Sequence, residues 1–137
     1  LKDGLKIVEP NERLSKSYLE QAKSSLLRAN KNFQDKDLLW TTVAIYYAKY
    51  YALYSFLQKI GIKCENHACS ILAVTLLLGE EKTKTINQHK HKRIDQENKI
   101  KIMLTEAQNF ISEFDEIVSN LSEKEIKNFR ERFQKIQ

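Results

Sequence analysis

Five of the six tyrosines in this 137-residue chain lie within nine residues, and this cluster restricts the fold more than any other feature. On a helix, which turns by about 100° per residue, the five side chains occupy an arc of roughly 140°. Alanines recur every fourth position of the same segment and let a neighbouring helix approach closely. The tyrosines are Tyr46, Tyr47, Tyr50, Tyr51 and Tyr54. This pattern predicts a helix that is central or at an interface, with the tyrosine face as core and dimer seam rather than a stacking platform.

The rest of the chain predicts an all-α fold, an up-and-down bundle of four to five helices in a single domain covering residues 1–137. Only three glycines and one proline occur, too few for the turns of an all-β protein. Apolar residues instead recur every three to four positions, which is the period of a helix with one buried stripe. The predicted helices run from about Asn11 to Asn32, from Asp35 or Asp37 to Ile60, from Asn66 to Gly79, from Met103 to Leu121, and onward from Ser122.

The predicted helix ends carry recognisable signals. The connection Gln34–Asp37 is polar, and either aspartate in it can cap the helix that follows. Gly61 stands where a left-handed terminal residue ends a helix. Asn66 is predicted to cap helix three, and Ser122 with Glu125 forms a capping box. The stripe of helix one is predicted to contain Leu14, Tyr18, Ala22, Leu26, Ala29 and Phe33.

The net charge of +5 is compatible with nucleic acid or an acidic partner but demonstrates neither. The longest apolar run, Ile71 to Leu78, is far shorter than the ~20 residues that span a bilayer. The first residues do not form a basic and then apolar leader. We therefore expect a cytoplasmic protein with no membrane partner.

Thiols and imidazoles occur in numbers that raise the question of a zinc site, since Cys64, His67, Cys69, His89 and His91 are all soft ligands. The chain lacks the Cys-x2-4-Cys pairs that structural zinc sites favour. We therefore predict no metal and no cofactor. His67, at the start of helix three, is predicted to bond across to helix two instead.

A basic stretch from Lys82 to Arg93 contains five fixed positive charges, two histidines and no acid. Within it, Thr83 to Lys92 is either an exposed loop or the solvated start of a fourth helix that carries Arg93 and Ile94. Charge alone favours a solvated loop, because a phosphate-binding patch is assembled in three dimensions. The interpretation of the stretch therefore depends on what surrounds it.

The order of several residues resembles one family. A Tyr-Tyr pair in a long buried helix, followed by Gly61-Ile62 and then His67, is similar to the HEPN (higher eukaryotes and prokaryotes nucleotide-binding) domain. The likeness is to the small archaeal and bacterial type that accompanies minimal nucleotidyltransferases. Arg93 and Asp95 match an Arg-x-Asp-x-x-Tyr-like signature of that type, with Asn98 in place of the Tyr. The resemblance extends from about Tyr18 to Val118 and includes Tyr47, Gly61, Ile62, His67, Arg93, Asp95, Ala107 and Phe110.

The resemblance implies a dimer in which the arginine-bearing helices of two subunits face a shared cleft. It implies ligand binding by Arg93, Asp95, Tyr47 and His67, with Lys90 and Lys92 as basic neighbours. The partners it implies are a second copy, a minimal nucleotidyltransferase, and RNA or a nucleotide.

Ribonucleases of this family carry an Arg followed four to six residues later by His, so that the cation holds the phosphate and the imidazole moves a proton. No His follows Arg93 in this chain, and His89 and His91 precede it. Arg93, His89 and His91 are thus candidate catalytic residues only in a reversed arrangement. The leading hypothesis is a non-catalytic HEPN protein that binds RNA, a nucleotide or a nucleotidyltransferase in a toxin–antitoxin-like pair. A ribonuclease toxin and a helical scaffold are the alternatives.

Overall fold

The chain folds into a helical bundle, as the sequence predicts. The computed structural model describes residues 4–89 and 97–136, leaving aside the side chains of His89 and Ile136. Within these ranges there are six helices and two short strands: β1 (Leu5–Ile7), α1 (Glu12–Gln34), α2 (Leu38–Ile60), β2 (Ile62–Cys64), α3 (His67–Leu78), α4 (Glu80–His89), α5 (Glu97–Ser119) and α6 (Glu123–Ile136). The all-α prediction is confirmed, with one helix more than the largest number expected.

The helix ends follow the predicted chemistry. Asp37 accepts a hydrogen bond from the backbone N of Trp40 at 3.2 Å, and Asn66 accepts one from the backbone N of Cys69 at 2.8 Å. Ser122 and Glu125 bond each other's backbone N–H groups, which is the predicted capping box. The signals in the sequence therefore placed these three helix starts correctly.

Helix α2 is the centre of the bundle. It packs along α1 over most of its length and also contacts α3, α4, α5 and α6. Its buried side chains include Ile45, Leu53, Phe56 and Leu57. Because five other helices cover it, the apolar residues around its whole circumference are largely accounted for within one chain.

Helix α1 buries a stripe shifted from the predicted one. Ser15 and Ser25 are buried, whereas Leu14, predicted to face inward, is 38% exposed. The Oγ of Ser15 donates a hydrogen bond to the carbonyl oxygen of Ser55 at 2.7 Å. The small serines let α1 and α2 approach closely, and the bonded hydroxyl is satisfied inside the protein. A search for apolar periodicity alone misses such positions.

The two short strands were not predicted. The strands β1 and β2 pair antiparallel, with Leu5 opposite Cys64, and this ribbon ties the start of the chain to the end of α2. Helix α4 begins directly after Gly79, so the first part of the basic stretch is helical, as one of the two alternatives had it. Arg93 and Ile94, which that helix was expected to carry, lie outside the described residues.

The C-terminal helix is anchored by Arg130. Its Nη1 lies 2.7 Å from the carbonyl oxygen of Val8, 2.9 Å from that of Ile60 and 3.3 Å from that of Gly61. A guanidinium that donates to several carbonyls satisfies backbone groups that a helix end leaves without partners. Arg130 therefore connects α6, the end of α2 and the segment after β1.

None of the helices in the described part of the chain combines the length and the apolar composition that crossing a bilayer requires.

Candidate functional site

The structure tests only part of the predicted site. Arg93, Asp95, Lys90, Lys92 and His91 lie outside the described residues. His89 is the last residue of α4, and its side chain is also outside them. Tyr47 and His67 are described, and the structure brings them together on one side of α2.

His67 packs into the tyrosine face of α2. Its ring stacks on Tyr50 with centroids 3.7 Å apart and meets the edge of Tyr47 at 5.8 Å. The hydroxyl of Tyr46 lies 3.3 Å from His67 Nδ1. Burial, with the nearby Tyr47 as a smaller cause, raises the pKa of Tyr46. The predicted bond from His67 across to helix two is confirmed, and it fixes the start of α3 against α2.

The deeper tyrosines of this face are core residues with satisfied hydroxyls. The hydroxyl of Tyr50 lies 3.0 Å from Ser70 Oγ, and that of Tyr54 donates to the carbonyl oxygen of Cys64 at 3.2 Å. Burial raises the pKa of both phenols. Both hydroxyls have hydrogen-bond partners within the protein, which supports the core interpretation for this part of the cluster.

The outer tyrosines belong to a groove that the sequence did not reveal. The α1–α2 groove has a volume of about 320 Å³ and is lined by Arg28 and Asn32 of α1 and by Trp40, Tyr47 and Tyr51 of α2, among others. Trp40 is 57% exposed and Tyr47 is 40% exposed. Trp40 and Arg28 lie too far apart in sequence for spacing to associate them. Their positions on the facing stripes of two helices joined by a short turn could have suggested that they line one groove.

The two lysines of the basic stretch that the structure describes differ in their surroundings. Lys82 of α4 forms an ion pair with Glu113 of α5, which neutralises its charge locally. Lys84 is exposed and has no ion pair with any described residue. The cations from Lys90 onward follow α4 in the sequence and precede α5.

A second residue that the sequence did not reveal is Lys49, which is only 1% exposed in the middle of α2. Its Nζ lies 6.0 Å from the centre of the Phe110 ring, and no described residue accepts a hydrogen bond from it. Burial lowers the pKa of Lys49 to about 8, while the charge of Glu106 opposes this shift. A lysine within an otherwise apolar helix is the sequence signal that could have identified it.

Helix α3 presents an uncharged outer face. Leu72 is 43% exposed and Leu76, one turn later, is 38% exposed. No Asp, Glu, Lys or Arg occurs between His67 and Leu78. This face can therefore pack against another apolar surface without burying a charged side chain and without bringing like charges together.

No group of three or more His, Cys, Asp or Glu side chains suited to a metal occurs among the residues that the structure describes. Comparisons of the chain with protein-family models, with curated proteins and with solved structures found no match. The resemblance to HEPN domains accordingly stays a prediction from the residues.

Proposed function

We propose that this chain is a non-catalytic HEPN-type protein of the cytoplasm, a homodimer that binds RNA or a nucleotide beside a minimal nucleotidyltransferase partner. One observation carries the proposal: the basic stretch has five fixed cations and no acid between Lys82 and Arg93. The stretch begins in α4 and ends before α5. Phosphate groups are the natural counter-charge for such a cluster, since each contact releases condensed counterions.

Two further observations support this proposal. The bundle agrees with the fold that the resemblance implies, and the expected packing of His67 on the tyrosine helix is present. The ion pair between Lys82 and Glu113 removes one cation from the available set, so the charge for a phosphate comes from the later part of the stretch. Arg93 is the preferred residue there, because its planar guanidinium holds a phosphate through two parallel hydrogen bonds.

The first prediction concerns RNA binding. Arg93→Ala should weaken binding of a single-stranded RNA about tenfold, whereas Lys84→Ala on the exposed side of α4 should weaken it less than about threefold. The affinity of the wild type should fall as KCl is raised, because displaced counterions drive the binding. Fluorescence anisotropy with a labelled RNA, at two or more salt concentrations, measures both effects.

The same RNA serves to test for catalysis. We expect no cleavage, since no His follows Arg93 to move a proton, and general acid–base help contributes about 10²–10⁴-fold. Cleavage that disappears in a His89→Ala/His91→Ala double variant would instead establish the reversed arrangement and a ribonuclease toxin. Equal affinity of the wild type and Arg93→Ala would contradict the proposed site, and the absence of both binding and cleavage in every variant would leave the partner-binding or scaffold functions.

The nucleotidyltransferase part of the proposal has a separate test. The gene beside this one should encode a small nucleotidyltransferase, and the two proteins should purify together when they are expressed together. If the purified enzyme does not bind this chain at micromolar concentration, the partner is a different protein.

The second prediction concerns the homodimer, whose seam we place on the outer face of α3. In a symmetric dimer each patch packs against its own copy, so any charge in the patch would face a like charge. The outer face of α3 carries no charged residue and avoids this repulsion. The double variant Leu72→Gln/Leu76→Gln should convert the dimer to a monomer in sedimentation velocity at micromolar concentration. Leu27→Gln on α1, which is 72% exposed, is the matched control and should remain dimeric.

A wild type that sediments as a monomer at this concentration would rule out the homodimer. A dimer that survives the double variant would return the seam to helix two, where the sequence first placed it.

A further inference from the structure

A single cation stands at the rim of the α1–α2 groove. The guanidinium of Arg28 forms no ion pair with any described residue. None of the nine residues that line the groove carries a carboxylate. A second copy of this face would therefore oppose Arg28 to itself with nothing to neutralise it, so the charge favours an anionic occupant over a symmetric contact.

The walls of the groove are flat aromatic rings. Trp40 and Tyr47 stand two turns apart on α2, about 10 Å along the helix axis, with the small side chains of Val43 and Ala44 between them. Tyr51 continues the wall and is held by Tyr18, whose ring centre lies 6.0 Å away at an angle of 28°. Exposed aromatic rings such as these are suited to stacking a planar ligand.

The polar side chains of the groove can form hydrogen bonds with such a ligand. The amides of Gln21 and Asn32 lie on the α1 side, opposite the aromatic wall. Amide side chains pair with the edges of nucleobases, and a guanidinium pairs with a phosphate. The volume of about 320 Å³ suits one nucleotide rather than a long polymer segment.

We propose that the α1–α2 groove binds one nucleotide of a single-stranded RNA, with its base stacked on the aromatic wall that Trp40 and Tyr47 form and its phosphate on Arg28. This inference rests on the RNA binding proposed above, but it uses a different surface from the stretch that contains Arg93. The groove supplies the stacking and edge contacts that a run of cations lacks, and it therefore gives the binding a preference for unpaired bases.

The test uses the fluorescence of Trp40, which is the only tryptophan in the chain. An RNA tetranucleotide should quench this fluorescence saturably, because a base that stacks on the indole ring shortens the lifetime of the indole's excited state. Arg28→Ala should weaken the binding about tenfold, and Tyr47→Leu about fivefold. Arg13→Ala is the matched control, since it removes the same charge from an exposed position of α1 outside the groove.

Each other outcome has a defined meaning. Quenching by free AMP but not by the tetranucleotide would overturn the RNA assignment. Fluorescence that changes with protein concentration alone would show that a second copy covers the face, and an equal response from Arg28→Ala and the wild type would remove the phosphate contact.

The arginine variants separate this inference from the proposed function. If Arg93→Ala binds RNA as the wild type does while Arg28→Ala does not, the groove is correct and the Arg93 site is wrong. The reverse result would overturn the groove and retain the proposed function.

Discussion

Replacing Gly61 by alanine should destabilise the protein by about 2–5 kcal/mol, a large part of the total stability of a domain of this size. Gly61 has φ of 80° and ψ of 45°, a left-handed conformation that costs an L-residue about 1–2 kcal/mol. A Cβ at this position would also overlap the carbonyl oxygen of Val8 and the Nη1 of Arg130, and would lie 2.8 Å from the backbone N of Pro10. Relieving that overlap requires a backbone shift, which adds about 1–3 kcal/mol.

The segment that would have to move is firmly held. The backbone N of Val8 donates to the carbonyl oxygen of Gly61 at 2.8 Å, and Arg130 bonds the carbonyl oxygen of Val8. A methyl group at this position would therefore displace α6, the end of α2 and the segment before α1 from one another. Urea unfolding followed by circular dichroism at 222 nm measures the loss.

Gly79→Ala shows what a positive-φ glycine costs where no atom crowds the added Cβ. Gly79 also has positive φ, at 98°, but a Cβ there would meet nothing within 4 Å. Its substitution should therefore cost only the backbone strain, about 1–3 kcal/mol. A loss at Gly61 no larger than about 1–2 kcal/mol, the cost of its left-handed backbone alone, would show that crowding contributes nothing.

Gly61 illustrates which parts of the structure can be predicted from the sequence alone. The helix stop was predictable, because a glycine at the end of an apolar stripe followed by an apolar residue is a local signal. The contacts with Val8 and Arg130 were not predictable, since they join positions that are distant in sequence. Local chemistry thus determined where helices end, whereas the reason that one particular end is intolerant of change is tertiary.

The candidate sites differ in the same way. The bond from His67 across to helix two was predicted, but that its partner there is Tyr46 is known only from the structure. The α1–α2 groove was not predicted, since Arg28 and Trp40 belong to different helices, and the stripe of α1 was misjudged where Ser15 is buried. Apolar periodicity identifies covered faces, but the faces left open depend on how the helices pack.

Lys49→Met should stabilise the protein by about 3 kcal/mol at pH 7. Burial lowers the pKa of Lys49 from 10.5 to about 8, and each unit of such a shift corresponds to about 1.4 kcal/mol. Methionine has a similar length and makes favourable contacts with an aromatic ring such as Phe110. The variant therefore removes a buried ammonium without leaving a cavity.

The advantage of Lys49→Met should disappear as the pH rises. Because the folded-state pKa is below the unfolded one, the unfolded chain binds a proton between pH 8 and pH 10.5 that the folded chain does not bind. The stability of the wild type relative to the variant therefore rises through that window. Burial raises the pKa of Cys64 to about 11, which lowers stability in the same range, but it does so in both proteins and cancels in the difference.

Urea unfolding of both proteins at pH 7 and pH 10 measures this difference. Lys84→Met is the control for loss of one lysine charge, since Lys84 is exposed on α4, and it should change the free energy of unfolding by less than about 0.5 kcal/mol. A loss of stability in Lys49→Met at pH 7 would mean that the buried ammonium has a stabilising partner, because removing such a group would then leave that partner unsatisfied.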